Sequence, residues 1–105
     1  MDRIIKLDDQ EVRVRMSADT LRVYRKTYGR DLMVDMMSMQ DNMNMEIIEN
    51  LFYICAAACD PEIPDIDEWL AQFSTFALYK GANELIALWL DENKTTTRRK
   101  KKADQ

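Results

Sequence analysis

Asn44-Met45-Glu46-Ile47-Ile48-Glu49-Asn50-Leu51-Phe52-Tyr53-Ile54-Cys55-Ala56-Ala57-Ala58-Cys59 is the stretch that decides the fold class. Within it Ile47, Ile48, Leu51, Phe52, Cys55, Ala58 and Cys59 recur at steps of three and four. That period lines side chains along one face of an α-helix and predicts the central core helix. Asn42 or Asn44 supplies an N-cap oxygen for the unpaired amides of the first turn. Pro61 and Pro64, three apart, end the helix, because each removes a backbone donor and restricts the residue before it.

Upstream, Val12, Val14 and Met16 alternate with Arg13 and Arg15. Paired with Ile4-Ile5-Lys6-Leu7 across the turn-forming Asp8-Asp9-Gln10, they predict a half-buried β-hairpin over residues 1–16. A lone hairpin is marginal, so it must lie on helices. Ser17 caps a helix running to Tyr28, with Leu21, Tyr24 and Tyr28 on one stripe and Arg22, Arg25 and Lys26 facing outward. Gly29 suits a left-handed C-cap. A second helix is expected from Asp31 to about Gln40, broken at Asp41-Asn42.

Downstream, Asp65-Ile66-Asp67-Glu68 reads as a capping box opening a short helix that turns Trp69, Leu70 and Phe73 inward. Ser74 or Thr75 starts a last helix whose apolar pattern is Phe76, Tyr79, Leu85, Ile86 and Trp89, with Gly81 marking a kink or a close approach. The expected core is Leu21, Tyr24, Leu51, Phe52, Cys55, Trp69, Phe73, Leu85 and Trp89. From Asp91 the pattern stops, and six bases with no acid fall between Lys94 and Lys102. The expected fold is therefore mainly α (α+β). It is a compact helical domain over residues 1–90 with an N-terminal β-hairpin and a disordered basic C-terminal tail, 91–105.

Composition narrows function by exclusion. A chain of 105 residues, 47% hydrophobic and 32% charged, is one globular domain with a thin stability margin. No apolar run approaches the roughly eighteen residues of a membrane span. The N-terminus is charged too early for a signal peptide, and two cysteines are too few for a secreted scaffold, so the cytoplasm is the expected compartment. Histidine is absent and only Gly29 and Gly81 occur. The commonest general base and any glycine-rich phosphate loop are thereby missing, which predicts a binding protein without cofactor or metal and not an enzyme.

Charge is zoned: +3 over residues 1–30, −10 over 31–90 with Lys80 the one base, and +3 over 91–105. Opposite zones on one chain favour self-association into homo-oligomers, or a solvated surface with no partner. Cys55 and Cys59, at i and i+4, have no third ligand for zinc and read as core packing. The acids Asp60, Glu62, Asp65, Asp67 and Glu68 lack the order of a calcium loop and read as caps and solvated surface. Six of the eight methionines lie between residues 33 and 45: Met33, Met36, Met37, Met39, Met43 and Met45. Spread round a helix, they cannot all enter one small core, and flexible thioethers suit a surface that accepts varied apolar partners. These six are the candidate partner-binding residues. A small helical DNA-binding regulator using Arg22, Arg25, Lys26 and Arg30 is the alternative, but the acidic middle repels phosphates.

Leu21-Arg22-Val23-Tyr24-Arg25-Lys26-Thr27-Tyr28-Gly29-Arg30-Asp31-Leu32 resembles a phage tail assembly chaperone of siphophages and prophages from Gram-positive hosts. So does Asp60-Pro61-Glu62-Ile63-Pro64-Asp65-Ile66-Asp67-Glu68-Trp69-Leu70, followed by Phe73 and Phe76. The order of elements is similar too, over roughly residues 1–90. The resemblance implies a host-cytoplasmic protein, absent from the mature virion, that coats the tape measure protein before the tail tube polymerises. It further implies a frameshift-extended form sharing residues 1 to about 100; Lys100-Lys101-Lys102 is the kind of run that A-rich slippery codons encode. The family supplies no residue-level binding motif, so the methionines stand on their own chemistry.

Overall fold

The chain begins as an antiparallel pair, β1 (Asp2–Leu7) and β2 (Gln10–Arg15), in which Leu7 faces Gln10 and Asp2 faces Arg15. Asp8, in the turn between them, adopts a left-handed φ of 55°, a region that aspartate tolerates better than most residues. Ile5, Leu7, Val14 and Met16 are buried on the inner face, as the alternation predicts, and Ile4 is exposed. Five helices follow: α1 (Ala18–Tyr28), α2 (Leu32–Ser38), α3 (Met45–Cys59), α4 (Ile66–Leu70) and α5 (Thr75–Ala103). This computed structural model describes the backbone of residues 1–103 and the side chains of residues 1–92. The tail expected over 91–105 therefore lies mostly outside the residues whose side chains are described.

Local signals account for the helix ends. Ser17 opens α1, its N–H donating to Thr20 Oγ1 at 2.9 Å while its own Oγ accepts from Asp19 N–H, a reciprocal cap. Gly29 closes α1 at φ 68°, its N–H donating to Arg25 O. Asn44 caps α3, which buries Ile47, Ile48, Leu51, Phe52, Ile54 and Cys55. Asp65 accepts from Glu68 N–H to start α4. Trp69 then sits among aromatic rings, with centroids 5.9 Å from Phe52, 5.6 Å from Tyr53 and 5.1 Å from Phe73. Tyr53 donates from its hydroxyl to Pro64 O at 2.7 Å and fastens the proline loop to α3.

The sheet's inner face rests on α3 and α5, with α1 against the other flank of α3. The last helix differs from expectation. Phe76 and Tyr79 point away from the core, and Ala77, Leu78, Gly81, Ala82, Leu85 and Leu88 form the packed face. The reason is distance. A Cβ on Gly81 would come within 2.6 Å of Leu7 Cδ2 and 3.0 Å of Phe52 Cε2, so at position 81 α5 sits too near β1 and α3 for any side chain. Of the two readings of Gly81, close approach is the right one. A second tie lies at the start of the helix. Asp8 accepts from Ser74 N–H at 2.9 Å and from Ser74 Oγ–H at 2.8 Å, while Ser74 Oγ accepts from Ala77 N–H. The Ser74 donors hold the Asp8 carboxyl below the usual carboxylate range.

Gly81→Ala tests this packing. Helix propensity alone favours alanine by about 1 kcal/mol, but overpacking against the fully buried Leu7 and Phe52 costs about 1–3 kcal/mol. The expected result is a lower denaturation midpoint, a net loss of about 1 kcal/mol, with an unchanged slope in urea.

Candidate protein-binding groove

The groove is built from the corner between α1 and α2. Gly29 lets the chain turn, and Asp31 caps α2 by accepting from Met33 N–H at 2.9 Å and Val34 N–H at 3.3 Å. Arg30, between them, reaches forward to Asp35 with two parallel hydrogen bonds, Nε to Oδ2 at 2.8 Å and Nη2 to Oδ1 at 2.7 Å. Tyr24 donates its hydroxyl to Asp35 Oδ2 at 2.8 Å. Asp35 is only 3% exposed, and such a buried carboxylate is tolerable because both oxygens are satisfied and paired. The Arg30 guanidinium, helped by the Tyr24 hydroxyl, holds the Asp35 carboxyl below its usual range against the opposing effect of burial. Burial, then Asp35, raises the Tyr24 phenol above its ordinary value.

This tie sets the rotation of α2. Leu32 and Met36 go into the core with Asp35, while Met33, Val34 and Met37 face out, Met37 at 63% exposure. Across from them Ile86 and Trp89 of α5 are half-buried, and Leu90 is exposed. Between the two helices lies a groove of about 350 Å³. Met33, Met36, Met37 and Met39 line one side with Gln40, and Ile86, Trp89 and Leu90 line the other. Four of the six candidate methionines are thus brought together. Met43, exposed before α3, and Met45, half-buried in its first turn, do not line the groove. Sequence reasoning did not single out Leu90, and it placed Ile86 and Trp89 only as core positions; their spacing against α2 is a tertiary fact.

The other candidate groups sit apart. Cys55 is buried and free, its thiol pushed up to about 12 by burial first and by neighbouring Cys59 and Glu92 second, so it stays protonated as packing material. Asp60 and Asp65 serve as local caps, accepting from Glu62 N–H and Glu68 N–H. Among the described residues no three His, Cys, Asp or Glu side chains converge as a metal site, and no helix is long and apolar enough to cross a membrane. Arg22, Arg25 and Lys26 are exposed on α1, but Arg30 is committed to Asp35. Comparison of the chain with family models, curated proteins and solved structures finds no match.

Asp35→Asn should lower stability at neutral pH by about 1–3 kcal/mol, since it removes a charge-assisted pair from a buried site. Because the folded carboxyl titrates below its unfolded value, its contribution is complete above about pH 4 and is lost as pH falls through the folded pKa. Urea melts should therefore show a smaller acid-induced loss below pH 4 in the variant than in the parent chain.

Proposed function

We propose that this protein is a non-catalytic assembly chaperone that shields the apolar stripe of a long helical partner, as a phage tail assembly chaperone shields a tape measure protein. The groove between α2 and α5 carries the reading. It exposes thioethers beside an aromatic wall, a surface that rearranges to fit many apolar side chains without demanding one sequence. An amphipathic helix would seat its i, i+3 or i+4, and i+7 anchors along it. Many copies on one long partner hold on by effective concentration even where each contact is weak. Under this reading the protein acts in the host cytoplasm and leaves before the virion is complete. A longer product, made by a frameshift near residue 100, carries residues 1 to about 100 onward into a second segment.

The direct test uses exposed methionines, because Met36 faces the core and its replacement would disturb folding. Met33→Ser/Met37→Ser should keep the far-UV spectrum and melting behaviour of the parent while losing about tenfold or more in capture of a phage tape measure protein, measured by co-expression and pull-down. Unchanged capture by the folded double variant would remove the groove from the reading. Synonymous recoding of Lys100 to Lys102 tests the longer product separately; loss of a larger co-expressed band is the expected result.

A further inference from the structure

The outward face of α5 carries a second apolar stripe whose N-terminal half, Phe76 and Tyr79, is left to solvent and whose C-terminal half, Ile86 and Leu90, also borders the methionine groove. Phe76, Tyr79, Asn83, Ile86 and Leu90 fall at steps of 3, 4, 3 and 4, the spacing of a two-stranded coiled-coil seam. The stripe lies opposite the face formed by Ala77, Gly81, Leu85 and Leu88, which is spent on the domain's own core. Phe76 is 77% exposed and Tyr79 57%, although large aromatic rings are the side chains that gain most from burial. At its centre stands a single polar residue, Asn83, also exposed. One asparagine in an otherwise apolar seam costs stability and fixes register, because it is satisfied best by a second asparagine.

From these positions we infer that two copies of this chain pair through α5, antiparallel, about a twofold axis at Asn83. The register is self-complementary. Seven residues separate Asn83 from Phe76 and from Leu90, so the axis sets Phe76 of one copy level with Leu90 of the other. Tyr79 then falls within one residue of Ile86 of the second copy, and the aromatic end of each helix meets the methionine-groove end of its mate. Charge selects the direction. Lys80, the one base among residues 31–90, borders the stripe on the same flank as Glu84. Antiparallel pairing brings Lys80 to within two residues, about 3 Å along the axis, of Glu84 of the second copy, twice by symmetry. Parallel pairing would instead place Lys80 and Glu84 of the two copies on opposite flanks of the seam, and the contact would be lost. The seam from Phe76 to Leu90 is only about 21 Å long, and so short a contact makes a dimer that dissociates on dilution.

The pairing gives the self-association expected from charge zoning a specific surface; it shares Ile86 and Leu90 with the groove, but its test needs no tape measure protein, so its failure is distinguishable from failure of the client-binding reading. In a Cys59→Ser background, Phe76→Cys and Leu90→Cys chains are mixed at high micromolar concentration and oxidised. The expected product is a disulfide-linked heterodimer of the two variants. Homodimers of Phe76→Cys in place of it would show parallel pairing and overturn the inference, as would the absence of any covalent dimer. Sedimentation of the unmodified chain should show a concentration-dependent dimer, and Tyr79→Glu should weaken it at least tenfold with an unchanged far-UV spectrum. A strict monomer in the unmodified chain, or a Tyr79→Glu dimer of undiminished strength, would overturn it as well.

Discussion

The absence of a side chain at position 81 governs the rest of the structure. Only there does α5 come near enough to Leu7 and Phe52 for the hairpin, the central helix and the last helix to share one core. Close approach makes small residues the useful ones on that face, hence Ala77 and Ala82 beside Gly81. Leu85 and Leu88 fill the same face a turn or two further on, while the aromatic rings of Phe76 and Tyr79 lie on the opposite face and meet solvent. The same placement sets Ile86, Trp89 and Leu90 across from α2 and so defines the groove. A local packing rule thus determines both what the helix buries and what it offers.

Polar groups act as positioning devices in this fold, and each joins elements that packing alone would leave loose. Asp35 ties Arg30 and Tyr24 into one cluster, so that α2, only two turns long, has a fixed rotation relative to α1. Without it a helix carrying apolar residues on every side has no strong preference for which ones face inward. Asp8 does comparable work between residues 66 positions apart, linking the hairpin turn to the start of α5. Both carboxylates spend their oxygens on donors that hold the backbone in place.

Much of the fold was legible because the deciding signals are local. The stripe of Ile47, Ile48, Leu51, Phe52 and Cys55, the caps Ser17, Asn44 and Asp65, and the left-handed Gly29 each depend on a few neighbouring residues. The last helix was legible only in part, with Leu85 rightly placed in the core but Phe76 and Tyr79 joined to the same apolar pattern, for the opposite reason. It has two apolar faces, and periodicity cannot say which one a neighbour will cover; the aromatic face looked more like a core than alanines and a glycine did. The methionine cluster was legible as composition, but the groove was not, since Leu90 lies some fifty residues beyond Met39 in sequence. The Arg30–Asp35–Tyr24 cluster was hidden likewise, its members meeting only once the chain has turned at Gly29.

The hairpin's dependence on α5 also dictates the order in which the domain can be completed. Strand β1 is synthesised before every helix of the domain, yet the surface that covers Ile5 and Leu7 belongs partly to residues 77–88, near the other end of the domain. A growing chain can form the hairpin, α1 and α3 early, but the inner face of β1 stays open to water until α5 arrives. Contacts between such distant segments slow folding, because loop closure precedes the reward of burial. Folding here closes in a ring, with the last helix laid over the first strand. Any nascent chain that has not yet reached residue 88 is therefore left with an apolar strand that its own sequence cannot yet cover.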